Sequence, residues 1–490
     1  MSVNCWNRRK FLWQSSQSAL SLLVLGRSAQ HVVAAQRHPT VLVLGAGLAG
    51  LYTASLLEAQ GTSVTVLEAR DRVGGRVHTL YDLLGKPEGG GQGFSEKYQR
   101  LLTLANRLQV PVKSGIQLDR KMLLQIRGQT VLPQDWAKSP ANHLADRERQ
   151  LLPAQLLTHY LRPRNPLKDA IAWTNPRYAA FDVSLADYLR DQGASPEALR
   201  LIPFSSGGSL LNRLEATSAL WALRNDQRLA QSTTSKELQS RAEKLMQIQG
   251  GNSRLPEAIA ASLKSPVHLN KVVVSLQSHE TGVEVCTRDG AKFRADYVVV
   301  TLPFSVLRQI EISPPLQGAQ AKAVQTLPYT AVTQIHLTVH QPFWEQDGYP
   351  PMMWTDSMLS RLLPHRDAQG RVQSLVCWAS GSNAQQLDAM HSSELAHFVQ
   401  LELKKLRPSM AGKVELSRIV SWGRDPYARG AYSHFAPGQI RHFQAQMAKP
   451  WKRIHFAGEH TAIATAGMES ALESAERAAT EILALVRSRS

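Results

Sequence analysis

Gly45-Ala46-Gly47-Leu48-Ala49-Gly50 is the segment whose residue types and spacing most directly imply chemistry. Before it runs Thr40-Val41-Leu42-Val43-Leu44, an aliphatic and β-branched stretch with the pattern of a strand buried on both faces. After it, an alanine- and leucine-rich stretch to about Gln60 reads as a helix, and Ser63–Leu67 reads as a second strand ending in Glu68. A strand, glycine turn, helix and second strand in this order make a dinucleotide-binding unit. Gly45 and Ala46 form the tight turn, Gly47 lets a pyrophosphate approach, and Gly50 lets the helix pack on the strand. The pyrophosphate is expected on the helix N-terminus, where free N–H groups favour an anion. Glu68 is placed to accept hydrogen bonds from the adenosine ribose hydroxyls.

Nicotinamide and flavin dinucleotides both use this unit, and the following residues distinguish them. Glu68-Ala69-Arg70-Asp71-Arg72-Val73-Gly74-Gly75-Arg76 adds a second glycine pair and three arginines. This stretch resembles the extended signature of the flavin amine oxidases, a family that includes monoamine, polyamine and L-amino acid oxidases. The resemblance implies FAD as cofactor, with Arg70 and Arg76 near the pyrophosphate and Ala69 and Gly75 among the residues that bind it. Further blocks recur in the family's order: Glu88-Gly89-Gly90-Gly91-Gln92-Gly93, the segment around Val272, Trp422 to Ser433, Arg453 to His460, and Ala466 to Ala471. By the same resemblance Gly90, Gly91 and Gln92 form a glycine turn under the flavin, and Val272 meets the adenine through its backbone. Trp422 and Gly458 join the cofactor wall, and Glu459 accepts from the ribityl chain. A helix opening at Gly467 and Met468 aims its N–H groups at the flavin. Tyr432, the expected catalytic residue, orients the amine nitrogen.

The implied reaction removes a hydride from a carbon–nitrogen bond of a small-molecule amine or amino acid, with molecular oxygen as acceptor. Three departures modify it. Ala431 stands where some monoamine oxidases carry the cysteine that bonds the flavin, so FAD is expected to be non-covalent. Gly467 stands where a second cage aromatic often sits, so the aromatic cage reads as half-built. Phe304-Ser305-Val306-Leu307-Arg308-Gln309 lacks the lysine expected after Pro303, leaving Arg308 as its substitute. An amino acid donor needs a cation for its carboxylate, and the glycine turn offers Gln92 instead, which favours amines. The rival reading is an L-amino acid oxidase whose clamp comes from Arg213 or Arg361. A flavin-binding partner protein without turnover is a second rival, and a carbon–carbon oxidase is disfavoured by the Trp422 to Ser433 segment.

The elements that must position these residues imply an α/β fold. Its Rossmann-like FAD-binding domain is discontinuous, over 40–95, 246–312 and 448–490, with an inserted mixed α+β substrate domain from 96–245 and 313–447. The first insertion reads as mostly helical with an exposed loop at Arg162-Pro163-Arg164-Asn165-Pro166; the second carries strands at Ala331–Val339, Ser374–Ser380 and Val414–Trp422. At 490 residues, 43% hydrophobic and 19% charged, the composition is that of a globular protein of more than one core.

Asn7-Arg8-Arg9-Lys10-Phe11-Leu12, a weakly apolar stretch and Val33-Ala34-Ala35 read as a twin-arginine signal peptide over 1–35, implying a periplasmic or secreted protein. Its four basic residues account for the fall from a net charge of +17 to +13 on cleavage. The remaining Lys and Arg residues are scattered and match no nucleic-acid-binding motif, and no later run is long enough to span a bilayer. The histidines show no HxH or HExxH spacing, so no metal site is expected. After cleavage Cys286 and Cys377 remain, compatible with one bond or none.

Overall fold

Four strands taken from three remote stretches of chain form one parallel sheet, in the order Ile454–Phe456, Tyr297–Val300, Thr40–Leu44, Ser63–Leu67. Val41, Leu42, Val43 and Leu44 are all buried, which is why this strand carries no alternating polar residue. The computed structural model describes residues 39–114, 121–204, 212–230, 245–367 and 369–487; the expected signal segment lies outside them. His38–Ser490 forms one contiguous unit. The helix Leu48–Glu58 leaves the first strand through the glycine turn and packs against the C-terminal helix Met468–Arg487. No helix among the described residues is long and apolar enough to cross a membrane.

A seven-stranded sheet forms the second layer, ordered Val414–Ser421, Val332–Val339, Val372–Ser380, Arg361–Arg366, Met353–Thr355, Leu123–Ile126 and Gln129–Val131. Its register sets Gln334 between Val420 and Trp378, and Leu362 opposite Cys377. Residues directly opposite one another share a face, so Gln334 and Trp378 point the same way. Helices Pro153–Leu161, Leu185–Asp191, Pro196–Leu201 and Ala219–Ala230 supply a further apolar layer around Trp173, Leu189 and Leu223. Ser184 and Ser195 cap two of these helices by accepting from the backbone N–H groups of Asp187 and Ala198.

Three expectations are refined. The mostly helical 96–245 stretch also carries strands: Leu123–Ile126 and Gln129–Val131 form a hairpin around Arg127 and Gly128, both at positive φ. A run as short as Met122-Leu123-Leu124-Gln125-Ile126 fits helix or strand equally; parallel pairing with Met353–Thr355 decides it. The Arg162–Pro166 loop is only partly free, because Arg162 pairs with Asp226 and Asn165 donates to the Leu223 carbonyl. Cys286 and Cys377 are both free; Cys377 is buried mid-strand, and Cys286 lies on the strand Val283–Thr287 of a different sheet.

The tightest constraint in the first layer is at Gly50. A Cβ there would lie 1.9 Å from the Gly45 carbonyl oxygen and 3.0 Å from Thr301 Oγ1. The contact is with backbone, so the helix itself must shift. Gly50→Ala is expected to cost about 1–3 kcal/mol and to reduce flavin content. Thermal unfolding together with the visible absorbance per protein checks this; full flavin content at an unchanged midpoint would contradict it.

Candidate active site

A cavity of about 400 Å³ runs between the two layers. At one end lie Gly45, Gly47, Glu68, Ala69 and Arg70; Gly75, Arg76 and Val272 also border it. Ala46 and Gly50 do not line it. They act from behind: the Ala46 N–H donates to Glu68 Oε2 at 2.7 Å, and Gly50 provides the close helix–strand contact. Glu68 is nearly buried, its other oxygen accepting from the Arg70 N–H at 2.9 Å, so the carboxylate is held rigidly at the cavity edge. Gly47 stands at the N-terminus of Leu48–Glu58, with no side-chain cap and no acidic residue in the first turn. Those N–H groups therefore face the cavity with their positive dipole end uncompensated, as an anion requires. This donor set fits the dinucleotide of FAD.

The cations beside this end are already neutralised. Arg70 pairs with Asp425, Arg76 with Glu459 at 3.0 Å, and Lys271 with Asp289 at 2.6 Å. Arg72 does not reach the cavity; it donates to the carbonyls of Val73, Gly75 and Val77 and shapes the turn from within.

Gly90, Gly91 and Gln92 form a second wall, held by residues that no motif had marked. Asn252 donates through Nδ2 to the carbonyls of Gly91 (2.8 Å) and Gln92 (2.6 Å), and its own N–H donates to Glu88 Oε1 at 2.7 Å. Trp422 lines the cavity and ties its indole N–H to the Gly89 carbonyl at 2.8 Å. Gln92 turns its amide back onto the Glu88 carbonyl. The Glu88 carboxyl is pushed up to about 7 because burial outweighs the bonds from Asn252 and Thr79.

The third wall contains Gly458, Glu459, Gly467 and Met468. Glu459 accepts from Arg76, from the Ser433 N–H at 3.0 Å and from the Ser433 hydroxyl at 3.1 Å. The loop before Gly467 is gripped from both sides. Glu473 accepts the N–H groups of Ile463, Ala464 and Thr465, while Arg224 donates to the carbonyls of Ile463 and Thr465. Arg224 is buried without a carboxylate partner among the described residues, its guanidinium 5.0 and 4.5 Å from the ring centres of Trp173 and Trp221. Burial pulls its pKa down to about 9, still charged at neutral pH.

The chemistry end is aromatic. Tyr432 clusters with Trp378 and Trp422, and burial pushes its phenol up to about 12. Trp378, from the second sheet, joins Tyr432 and Trp422 at this end, and a side chain at Gly467, where a second cage aromatic was expected to be missing, would crowd the Tyr98 hydroxyl, 3.1 Å from a Cβ there. Arg308 does not replace a lysine: it donates to the carbonyls of Phe304 and Leu327 and is absent from the cavity wall. Arg213 lies at the surface near Glu215. Trp378 and Gln334 were missed because their signal is a shared face across two strands 44 positions apart in the register pair Gln334–Trp378.

The profile of flavin containing amine oxidoreductases matches residues 48–483. The chain belongs to that family. It is 28% identical over 469 residues to an L-amino-acid oxidase of Demansia vestigiata, covering 90% of this chain and 86% of that protein. It is 27% identical to the L-amino acid oxidase Cdc18 of Crotalus durissus cumanensis, covering 94% and 93% respectively. In structure it resembles wild-type putrescine oxidase bound to putrescine, with a TM-score of 0.75 at 23% identity over 91% of this chain and 99% of that one. It also resembles cyclohexylamine oxidase from Brevibacterium oxydans, with a TM-score of 0.75 at 22% identity over 92% and 100%. These structural likenesses place this family member in the amine oxidase fold.

Glu88 gives the site a pH signature. Its folded pKa of about 7 lies above the ordinary 4.5, so the protonated acid is the form the fold prefers. The resulting stability is fully present below about pH 4.5 and is lost as pH rises through 7, a difference of roughly 3 kcal/mol. Between pH 8 and pH 5.5 the wild type should gain thermal stability that Glu88→Gln does not; equal gains in both would contradict this.

Proposed function

We propose that this protein is an exported FAD-dependent oxidase holding its cofactor non-covalently. It oxidises the carbon–nitrogen bond of an amine or amino acid, reduces molecular oxygen to hydrogen peroxide, and releases an imine that hydrolyses to a carbonyl compound and ammonia or an amine. The observation that carries this reading is the convergence of three features on one cavity. An uncapped glycine-headed helix, a bare glycine turn and an aromatic pocket around Tyr432 all meet there. When bound, FAD supplies the two-electron acceptor for the hydride leaving the donor carbon.

The chain's own residues bind, orient and exclude water. Among the described residues the cavity wall carries no histidine or cysteine, and its carboxylates, Glu68 and Glu459, are already hydrogen-bonded acceptors. No side chain there is placed as a free base for a carbon-bound proton, which favours hydride loss from a neutral amine. The amine therefore sheds its proton to solvent before or during binding, and activity is expected to rise with pH until the donor is neutral. Tyr432 keeps its own proton throughout, so its hydroxyl can hold the nitrogen without titrating. Trp378, Trp422 and Val332 make the surrounding wall dry.

Non-covalent attachment is supported by Ala431, which lines the cavity and has no nucleophilic atom. Export is supported by Arg8-Arg9 and Val33-Ala34-Ala35.

Acid precipitation of the purified protein should leave all the flavin in the supernatant. Anaerobic addition of the true donor should bleach the flavin absorbance, and Tyr432→Ala should lower kcat/KM by roughly 10- to 100-fold. Flavin that never bleaches with any amine or amino acid would sink the oxidase reading. Arg8→Lys with Arg9→Lys should strand the protein in the cytoplasm; unchanged periplasmic recovery would remove the twin-arginine route.

A further inference from the structure

Gly250-Gly251-Asn252-Ser253 belongs to none of the motif blocks, yet Asn252 reaches the glycine turn across 161 positions of chain. Gly251 sits at φ +118°, and a Cβ there would lie 2.4 Å from the Thr79 methyl. Bare backbone at Gly251 therefore lets the segment press against Thr79 and carries Asn252 up to the turn. Thr79 and Ser253 fasten this contact reciprocally, the N–H of each donating to the hydroxyl of the other at 2.8 and 3.0 Å.

Asn252 is 1% exposed, and its side chain is fully used. The Ile248 N–H donates to its Oδ1 at 3.0 Å, which orients the amide and turns Nδ2 toward the carbonyls of Gly91 and Gln92. Among the described residues no other donor reaches those two carbonyls. Successive carbonyls of an extended chain point to opposite sides, so two of them converging on one nitrogen curl the turn around Asn252. Other ties close the curl. The Gly89 carbonyl accepts from the Trp422 indole, the Gly89 N–H donates to the His78 carbonyl, and the Gly91 N–H donates to the Arg76 carbonyl. Gly90, between them, lines the cavity and makes no backbone hydrogen bond among the described residues. A Cβ at Gly90 would meet the Arg76 carbonyl oxygen at 2.1 Å, and one at Gly91 the Met468 sulfur at 3.2 Å. The curl is thus packed from behind and bare where it borders the cavity.

We infer that Asn252 is a positioning residue for FAD: its amide holds the curl that presents the Gly90 and Gly91 backbone to the cofactor. The inference rests on the flavin-oxidase reading of the cavity. Asn252 does not itself border that cavity and acts through the turn. What position 252 must supply is a hydrogen-bond donor. Asn252→Asp keeps the shape but sets an oxygen against two carbonyl oxygens, where Nδ2 now lies at 2.8 and 2.6 Å. Buried and faced by oxygens, the introduced carboxyl is disfavoured in its charged form and titrates above the ordinary carboxylate range. Its protonation gives back one donor as pH falls. Glu88 titrates in the same region, since it accepts the Asn252 N–H; behind it Tyr81 and Glu257 are hydrogen-bonded to each other near Arg254. A Glu88→Gln background removes the Glu88 contribution.

The holoenzymes are compared by flavin absorbance, by flavin fluorescence released on dilution, and by kcat and KM. At pH 8 Asn252→Asp should hold FAD roughly 10- to 100-fold more weakly than wild type, the worth of a buried polar group left unsatisfied, with a displaced absorbance band. Part of both defects should be regained at pH 5.5, with or without Glu88→Gln. The fall in kcat should exceed the change in KM, because the aromatic wall is untouched. Ser253→Ala strips a buried hydrogen bond from the same segment but leaves the turn carbonyls paired. It should lower the unfolding temperature without moving the absorbance band. If Asn252→Asp yields no soluble holoenzyme, Asn252→Ala carries the same comparison, without the recovery at pH 5.5 in the Glu88→Gln background. Wild-type flavin retention and spectrum in the position-252 variant, or an equal spectral displacement in Ser253→Ala, overturns the inference. If no amine or amino acid reduces the flavin, the oxidase reading fails, while retention and spectrum still decide the role of Asn252.

Discussion

Arg76, 383 residues away in the chain, and Ser433, 26 residues away, meet at the carboxylate of Glu459. Arg76, from the segment after the first glycine turn, donates to it and to the Ala431 carbonyl; Ser433, two residues on, donates from both its N–H and its hydroxyl. Each partner is partly shielded from water, where a charged hydrogen bond is stronger than on the surface. Because Arg76, Tyr432 and Glu459 all face the same cavity, this junction fixes the distance between the dinucleotide end and the aromatic end. The rest of the site can be described as what hangs from it.

The helix that opens at Met468 depends on a second junction of opposite polarity. The loop before it presents its N–H groups to Glu473 and its carbonyls to Arg224, so a negative and a positive side chain grip one short peptide segment from two sides. Arg224 belongs to the helical layer, and two tryptophan rings hold its guanidinium in place of a counter-ion. The helical insertion thereby helps position a terminus that belongs to the parallel-sheet layer. Glu469 adds a further tie, its buried carboxylate accepting from the backbone of Arg100 and Leu101 at the start of another helix. This helix end borders the cavity, and charged groups on both sides of its loop hold it still.

Buried polar groups elsewhere in the molecule are mostly paired, which gives the unpaired ones meaning. His460 illustrates the contrast: neither of its ring nitrogens has a partner, but it packs 4.3 Å from the Phe304 ring and burial keeps it neutral, lowering its pKa to about 3. It does not line the cavity. Gln334 and Trp378 border it, but their orphaned nitrogens are themselves buried. An orphaned donor in a packed interior is a local cost that the surrounding packing must outweigh.

Much of the molecule was legible in the sequence. The Gly45–Gly50 spacing, the buried strand before it and Glu68 after it follow from local geometry: a tight turn, a helix start and an acid one strand away are all encoded within thirty residues. Tyr432, Trp422, Glu459 and Met468 could be proposed from motif blocks because each lies in a short segment with a recognisable turn, and all of them border the cavity. The Leu123–Val131 hairpin, the Asn252 and Arg224 anchors, and the true position of Arg308 were not legible, because each is decided by partners far along the chain. Trp378, Gln334 and Arg361 belong to the same class. Period-two alternation says only that a residue faces one side of a sheet; it takes the register between strands to set Gln334 beside Trp378, and the second layer to bring both to the cavity. Sequence alone determined the cofactor-binding unit and the family, since those reside in contiguous backbone; tertiary structure decided what the far wall offers the substrate, since that depends on strand pairing and burial.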